Sequence, residues 1–123
     1  MPNFPSVFPY WWIALTASIA FAASLATLWI LRRRAYAITA REMLGLAFIV
    51  GLSVLLWRSA GNVPALNDDP IPPFSPNDLL CPLVTFVSLE LAYAFHRPAD
   101  VAHWEKTRAW LTLVSLVVNV LVI

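Results

Sequence analysis

Glu90 lies in the run VSLELAY, residues 87–93, as a lone carboxylate among apolar and small side chains. Taking a carboxylate into an apolar medium is costly unless it is paired or protonated, so this residue calls for a partner. Arg97 is seven residues on and therefore on the same helical face, and Arg41 heads a separate apolar segment. Both are candidate partners. Asn119, near the end of the last apolar stretch, is an expected interhelical hydrogen bonder, a contact worth about 0.6–2 kcal/mol.

The remaining reactive side chains form no active site. His96 and His103 flank one loop and could face a porphyrin iron, but loop histidines of this kind are ordinarily plain polar residues. Asp100 and His103 are one turn apart, close enough to hydrogen-bond, yet no nucleophile is tied to them. Cys81 is the single cysteine, so no internal disulfide forms, and no Cys/His spacing suits a metal. Arg58 with Asp68 or Asp69 reads as a surface ion pair of little worth. A relay of protons or ions wants more than one deep station, and Glu90 has no second carboxylate, His or Lys at its depth. The expectation is a protein without catalytic residues, cofactor or metal, and therefore no enzyme.

The elements that must hold these residues are membrane helices. Hydrophobic residues make up 60% of the 123 and charged residues 12%, with a mean hydropathy of +0.73. Soluble domains carry about 25% charged residues, so too little polar surface remains here to clothe a globule. Net charge is +1 with no basic block, which leaves no footprint for nucleic acid.

Spans of about 20 apolar residues fall at roughly 10–31, 40–57 and 76–95, with a fourth and shorter one at roughly 104–123. Thr39-Ala-Arg-Glu42 reads as a capping box, and Ser75-Pro76-Asn77-Asp78 as an N-cap serine, a proline at the first helical position and a first-turn acid. The first charges, Arg32, Arg33 and Arg34, follow the first apolar run. That order is the reverse of a cleavable signal, so the first helix is expected to stay.

Seven of the eight Lys and Arg residues fall on one side of the membrane when the N-terminus is outside, which places both termini outside by the positive-inside rule. The expectation is thus an all-α integral membrane protein of four helices, one domain over 1–123, in a plasma (inner) membrane. Residues 59–77 form a Pro-rich outer loop, expected to be extended.

Small residues supply the last pattern. Ala14, Ser18, Ala22 and Ala26 recur every four residues on the first helix, with Thr16, Ala20 and Ser24 beside them, and Ala47 and Gly51 repeat the spacing on the second. Such stripes let helix backbones approach closely, first of all among the four helices of this chain and secondly against a second copy or a larger complex, two uses that can hold together. They favour a small non-enzymatic membrane protein that acts by helix packing, as an accessory subunit of a larger membrane complex or as a homo-oligomer. The competing expectations are a holin-like pore and a small proton- or ion-coupled transporter module using Glu90. The lipid bilayer and a membrane protein, or a second copy, are the expected partners.

Overall fold

The computed structural model describes residues 7–69 and 74–123. The start of the chain and the Pro70–Pro73 part of the loop expected to be extended lie outside the described residues. The helices are α1 (Tyr10–Arg33), α2 (Ala40–Ala60), α3 (Pro64–Asn67), α4 (Pro76–Phe95) and α5 (Trp104–Val122), with one 3-10 turn, Val101–His103, leading into α5. Among the described residues there is no regular strand.

The four long helices run alternately up and down and close into a ring. α1 packs on α2, α2 on α4, α4 on α5, and α5 back on α1, while α2 and α5 touch only briefly across the centre. One end of this bundle carries the start of α1, the end of α5 and α3. The other carries Arg32, Arg33 and Arg34, and is called the arginine end below.

Each long helix begins for a local reason. α1 starts after Pro9, whose φ of −67° and ψ of 147° hold an extended entry. Thr39 caps α2 by accepting the Glu42 N–H, and a full capping box joins Ser75 and Asp78 at the start of α4. α4 then runs through Pro82 without a break, because losing one intrahelical bond near a helix start is tolerated. The short α3 is a correction to the extended loop: Pro64 stands at its first position, where the missing N–H costs nothing.

α1 ends in a Schellman turn. Tyr36 N–H donates to Leu31 O at 3.2 Å and Ala35 N–H to Arg32 O at 3.3 Å, with Ala35 at φ 70°. That left-handed position normally takes glycine.

The interior mixes polar with apolar side chains, and the outer surface is largely apolar. Thr16, Ser24, Ser53, Arg58, Asn77, Asp78, Thr85, Thr107, Ser115 and Asn119 are all buried. Facing outward are Leu44, Phe48, Leu52 and Leu56 on α2, Leu79, Leu83, Val87 and Leu91 on α4, and Trp110, Leu113, Val117 and Leu121 on α5. These apolar ridges follow the helical repeat of three and four. Contiguous apolar surface on this scale marks contact with lipid or protein. By length and composition α1, α2 and α4 can cross a membrane.

Gly51 marks a close approach of α1 and α2. A Cβ there would stand 3.1 Å from Phe21 Cβ and 3.2 Å from Ala17 O, so a larger residue would have to push α1 back slightly. Replacing Ala35 with glycine removes the left-handed penalty, about 1–2 kcal/mol for an L-residue, less the entropy glycine costs in the unfolded chain. Ala35→Gly is expected to raise the midpoint of thermal unfolding in detergent. A lowered midpoint would mean that the turn does not hold Ala35 in this conformation.

Candidate functional site

Arg58 lies in the last turn of α2, Asp78 in the first turn of α4 and Asn119 near the end of α5, and the bundle brings all three together in its interior. Arg58 Nη2 is 2.6 Å from Asp78 Oδ1, with only 1% and 3% of the two side chains exposed. Arg58 Nε donates to Asn119 Oδ1 at 2.8 Å, and the other oxygen of Asp78 accepts the Ser75 N–H at 2.9 Å.

The polar contacts continue down the bundle. Asn119 Nδ2 donates to Ser115 O at 2.7 Å. The Ser115 and Thr85 hydroxyls are 2.8 Å apart, as are those of Thr85 and Ser53, and Ser53 ends the chain on Val50 O at 2.7 Å. α2, α4 and α5 are thereby cross-linked by side chains that would each be costly to bury alone.

A second network surrounds Asn77. It donates to Gly61 O and to Asn67 Oδ1 at 2.8 and 2.7 Å, and accepts from Trp57 Nε1 at 3.0 Å. Asn67 reaches on to Asn62, which pairs with both backbone groups of Phe8. α3 and the segment before α1 are pinned to the bundle in this way.

This centre departs from the sequence expectation. Arg58 takes its hydrogen bonds and ion pair from Asp78 and Asn119 inside the bundle and not from Asp68 or Asp69 on the surface. Asp78 read as a helix-start acid, and it is one, but a carboxylate has two oxygens and only one is needed for the cap. A single residue serving two roles is invisible to spacing. Asn119 does bond between helices, to Arg58.

Glu90 lies toward the arginine end, and its partner is neither Arg97 nor Arg41. Arg108 Nη1 of α5 is 2.5 Å from Glu90 Oε1, and Trp104 Nε1 donates to the same oxygen at 3.1 Å. The reason is the close packing of α4 on α5, which puts the first turns of α5 beside the last turns of α4. Arg108 is further held over the Phe86 ring at 4.5 Å. Arg97 instead lies over Tyr93 at 5.9 Å, and Arg41 borders a cleft between α2 and α4. With 40% of the Glu90 side chain exposed, this pair is half-wet and tethers α5 to α4 at modest strength.

Two carboxylates clasp the loops at the arginine end. Asp100 accepts the Ala37 N–H at 2.8 Å and the His103 N–H at 3.1 Å, and lies 2.7 Å from His103 Nδ1. The His103 ring stacks on Tyr36 with centroids 4.1 Å apart. Glu42 leans across to the Ala99 N–H at 3.2 Å instead of closing the capping box on its own helix. The Ala37 N–H, with the His103 ring beside it, holds the Asp100 carboxyl below the usual carboxylate range. Asp100 and His103 thus do meet, as a loop clasp, and His96 takes no part in it. Among the described residues no group of three His, Cys, Asp or Glu could hold a metal ion.

The small-residue stripes of α1 divide. Thr16, Ala20 and Ser24 are buried within the bundle, as are Ala47 and Gly51 of α2. Ala14, Ser18, Ala22 and Ala26 are exposed. The Ser18 hydroxyl is returned to Ala14 O of its own helix at 2.8 Å, so this outward stripe is narrow and smooth. Beside it Ala14, Ser18, Phe21, Phe48, Leu52 and Leu55 line a groove of about 290 Å³.

No family model, curated protein or solved structure matches this chain.

Removing Asp78 alone leaves Arg58 charged and buried, a loss of about 3–5 kcal/mol. Asp78→Leu is therefore expected to unfold at much lower denaturant, and the double variant Arg58→Leu with Asp78→Leu to lose less than Asp78→Leu alone. Equal losses would show that Arg58 is not buried with Asp78. The native Asp100 value lies below the ordinary value of about 3.9. Its contribution is therefore complete above that value and is lost as pH falls through the lower native one. Between pH 5 and pH 2 the wild-type thermal midpoint is expected to drop further than that of Asp100→Asn; parallel curves would contradict the clasp.

Proposed function

We propose that this chain is a small, non-enzymatic, multi-pass protein of a plasma (inner) membrane that works by docking its helices onto another membrane helix. The partner is a subunit of a larger complex or a second copy of this chain. One observation carries the reading: of two parallel small-residue stripes on α1, one is used inside the bundle and the other, Ala14, Ser18, Ala22 and Ala26, faces outward. Small residues facing lipid gain little there, because side chains contribute the contact area, whereas against a helix they permit close backbone packing.

In this reading α5 is the fourth span. Its 19 residues reach about 28 Å at 1.5 Å each, of which the uncharged part from Trp110 on supplies about 20 Å against a core of roughly 30 Å, so spanning depends on drawing the first turns to the interface. Its charged first turns sit at the membrane interface, where Lys106 can snorkel. The excess of Lys and Arg at the arginine end puts that end in the cytoplasm and both termini outside. Glu90, Arg58, Asp78 and Asn119 then serve assembly of the bundle, because each bonds to a side chain on a neighbouring helix: Glu90 to Arg108, and Arg58 through Nε and Nη2 to Asn119 and Asp78.

Ser18→Leu together with Ala22→Leu tests the docking face. The expected result is a particle reduced to the size of one chain in mild detergent, with an unchanged unfolding midpoint. Thr16→Leu is expected to lower that midpoint, because Thr16 is fully buried. A wild-type protein that is already a single chain when gently extracted from its own membrane would refute the proposal. Oxidative cross-linking of Ala22→Cys into a dimer would identify the partner as a second copy.

A further inference from the structure

The cleft between the start of α2 and the end of α4 is graded in polarity along the bundle axis. Its volume is about 310 Å³, within the roughly 300–1,000 Å³ typical of ligand pockets. Arg41 and His96 line its mouth at the arginine end, and Gly45, Leu46, Ile49 and Ala92 line its deeper part. From Arg41 to Ile49 the helix rises roughly 12 Å. No residue of α1 or α5 borders it except Trp104.

Neither the Arg41 nor the His96 side chain makes a hydrogen bond or ion pair among the described residues, and both are exposed. Glu42, the one acid in the lining, has its carboxylate committed to the Ala99 N–H and the Thr39 hydroxyl. The mouth therefore presents, above an apolar slot, the Arg41 guanidinium with no hydrogen-bond partner among the described residues, beside a Glu42 carboxylate whose hydrogen bonds go to Ala99 and Thr39. Gly45 adds width, since a Cβ there would meet nothing within 4 Å.

A charged mouth over an apolar slot, opening sideways from a helix pair, matches one chemistry: an anionic head carrying a hydrocarbon chain. We propose that this cleft binds an anionic phospholipid, its phosphate against Arg41 and His96 and one acyl chain along Gly45, Leu46 and Ile49. Basic pockets between helices at a membrane face recognise anionic head groups in this manner. The site rests on the bilayer placement of the bundle and is independent of the docking stripe on α1.

The test is lipid retention by the intact protein, measured by native mass spectrometry after exchange into phosphatidylglycerol or phosphatidylcholine with identical acyl chains. Wild type is expected to retain phosphatidylglycerol about fivefold over phosphatidylcholine, the ratio one arginine near a lipid charge supplies. Arg41→Gln is expected to erase that preference. Gly45→Leu is expected to reduce retention of both lipids by filling the slot, without lowering the unfolding midpoint.

Arg33→Gln removes the same charge from the same end but outside the cleft, and is expected to retain lipid like wild type. Equal retention of the two head groups by wild type would overturn the proposal. So would a preference that falls equally in Arg33→Gln and Arg41→Gln, which marks general surface attraction. A folded Gly45→Leu with undiminished retention would overturn the place assigned to the acyl chain. Recovery of the protein without detergent would remove the bilayer placement itself, a failure distinguishable from loss of the site.

Discussion

Burial of the Arg58 guanidinium is the constraint around which the terminal end of this bundle is arranged. A cation at 1% exposure is tolerable only where an anion and further acceptors meet it. α4 supplies Asp78 and α5 supplies Asn119, so the two helices and α2 must come together at one height and in one rotation. Such a pair is weak evidence for net stability. Its consequence is specificity: α2, α4 and α5 cannot rotate or slide without stranding a charge.

The rest of the polar interior follows from the same economy. Each hydroxyl along the Ser115, Thr85 and Ser53 line satisfies its neighbour, and the line stops where Ser53 returns to the backbone of α2. Toward the arginine end the fastening changes character. There Glu90 with Arg108, Asp100 with Ala37 and Glu42 with Ala99 join elements at half-exposed positions, where a charge can still see water and each contact is worth less. The bundle is thus pinned firmly at one end and clasped more loosely at the other, and the cleft between α2 and α4 lies at the looser end.

Apolar side chains do a different task on each face. Inward, Leu28, Leu89, Leu111, Val50 and Val54 fill the space between helices. Outward, regularly spaced Leu, Phe, Val and Trp side chains cover α2, α4 and α5, while α1 interrupts its outer surface with the stripe of small residues. That contrast sets the outer face of α1 apart from those of the other helices.

Length, composition and local punctuation were enough to determine the helices: 10–31, 40–57, 76–95 and 104–123 from the sequence lie within three residues of the observed ends. Apolar runs and caps are properties of neighbouring residues, so a linear reading reaches them. The same reading found Asn119 and the small stripes, and it recognised Glu90 as a residue in need of a partner. Only the tertiary structure decided that the partner is Arg108, that Arg58 turns inward to Asp78, and which α1 stripe is left outside. Those choices depend on which helices are adjacent and how each is rotated. The sum of side-chain fits over the whole ring sets both, and no spacing within one segment encodes them.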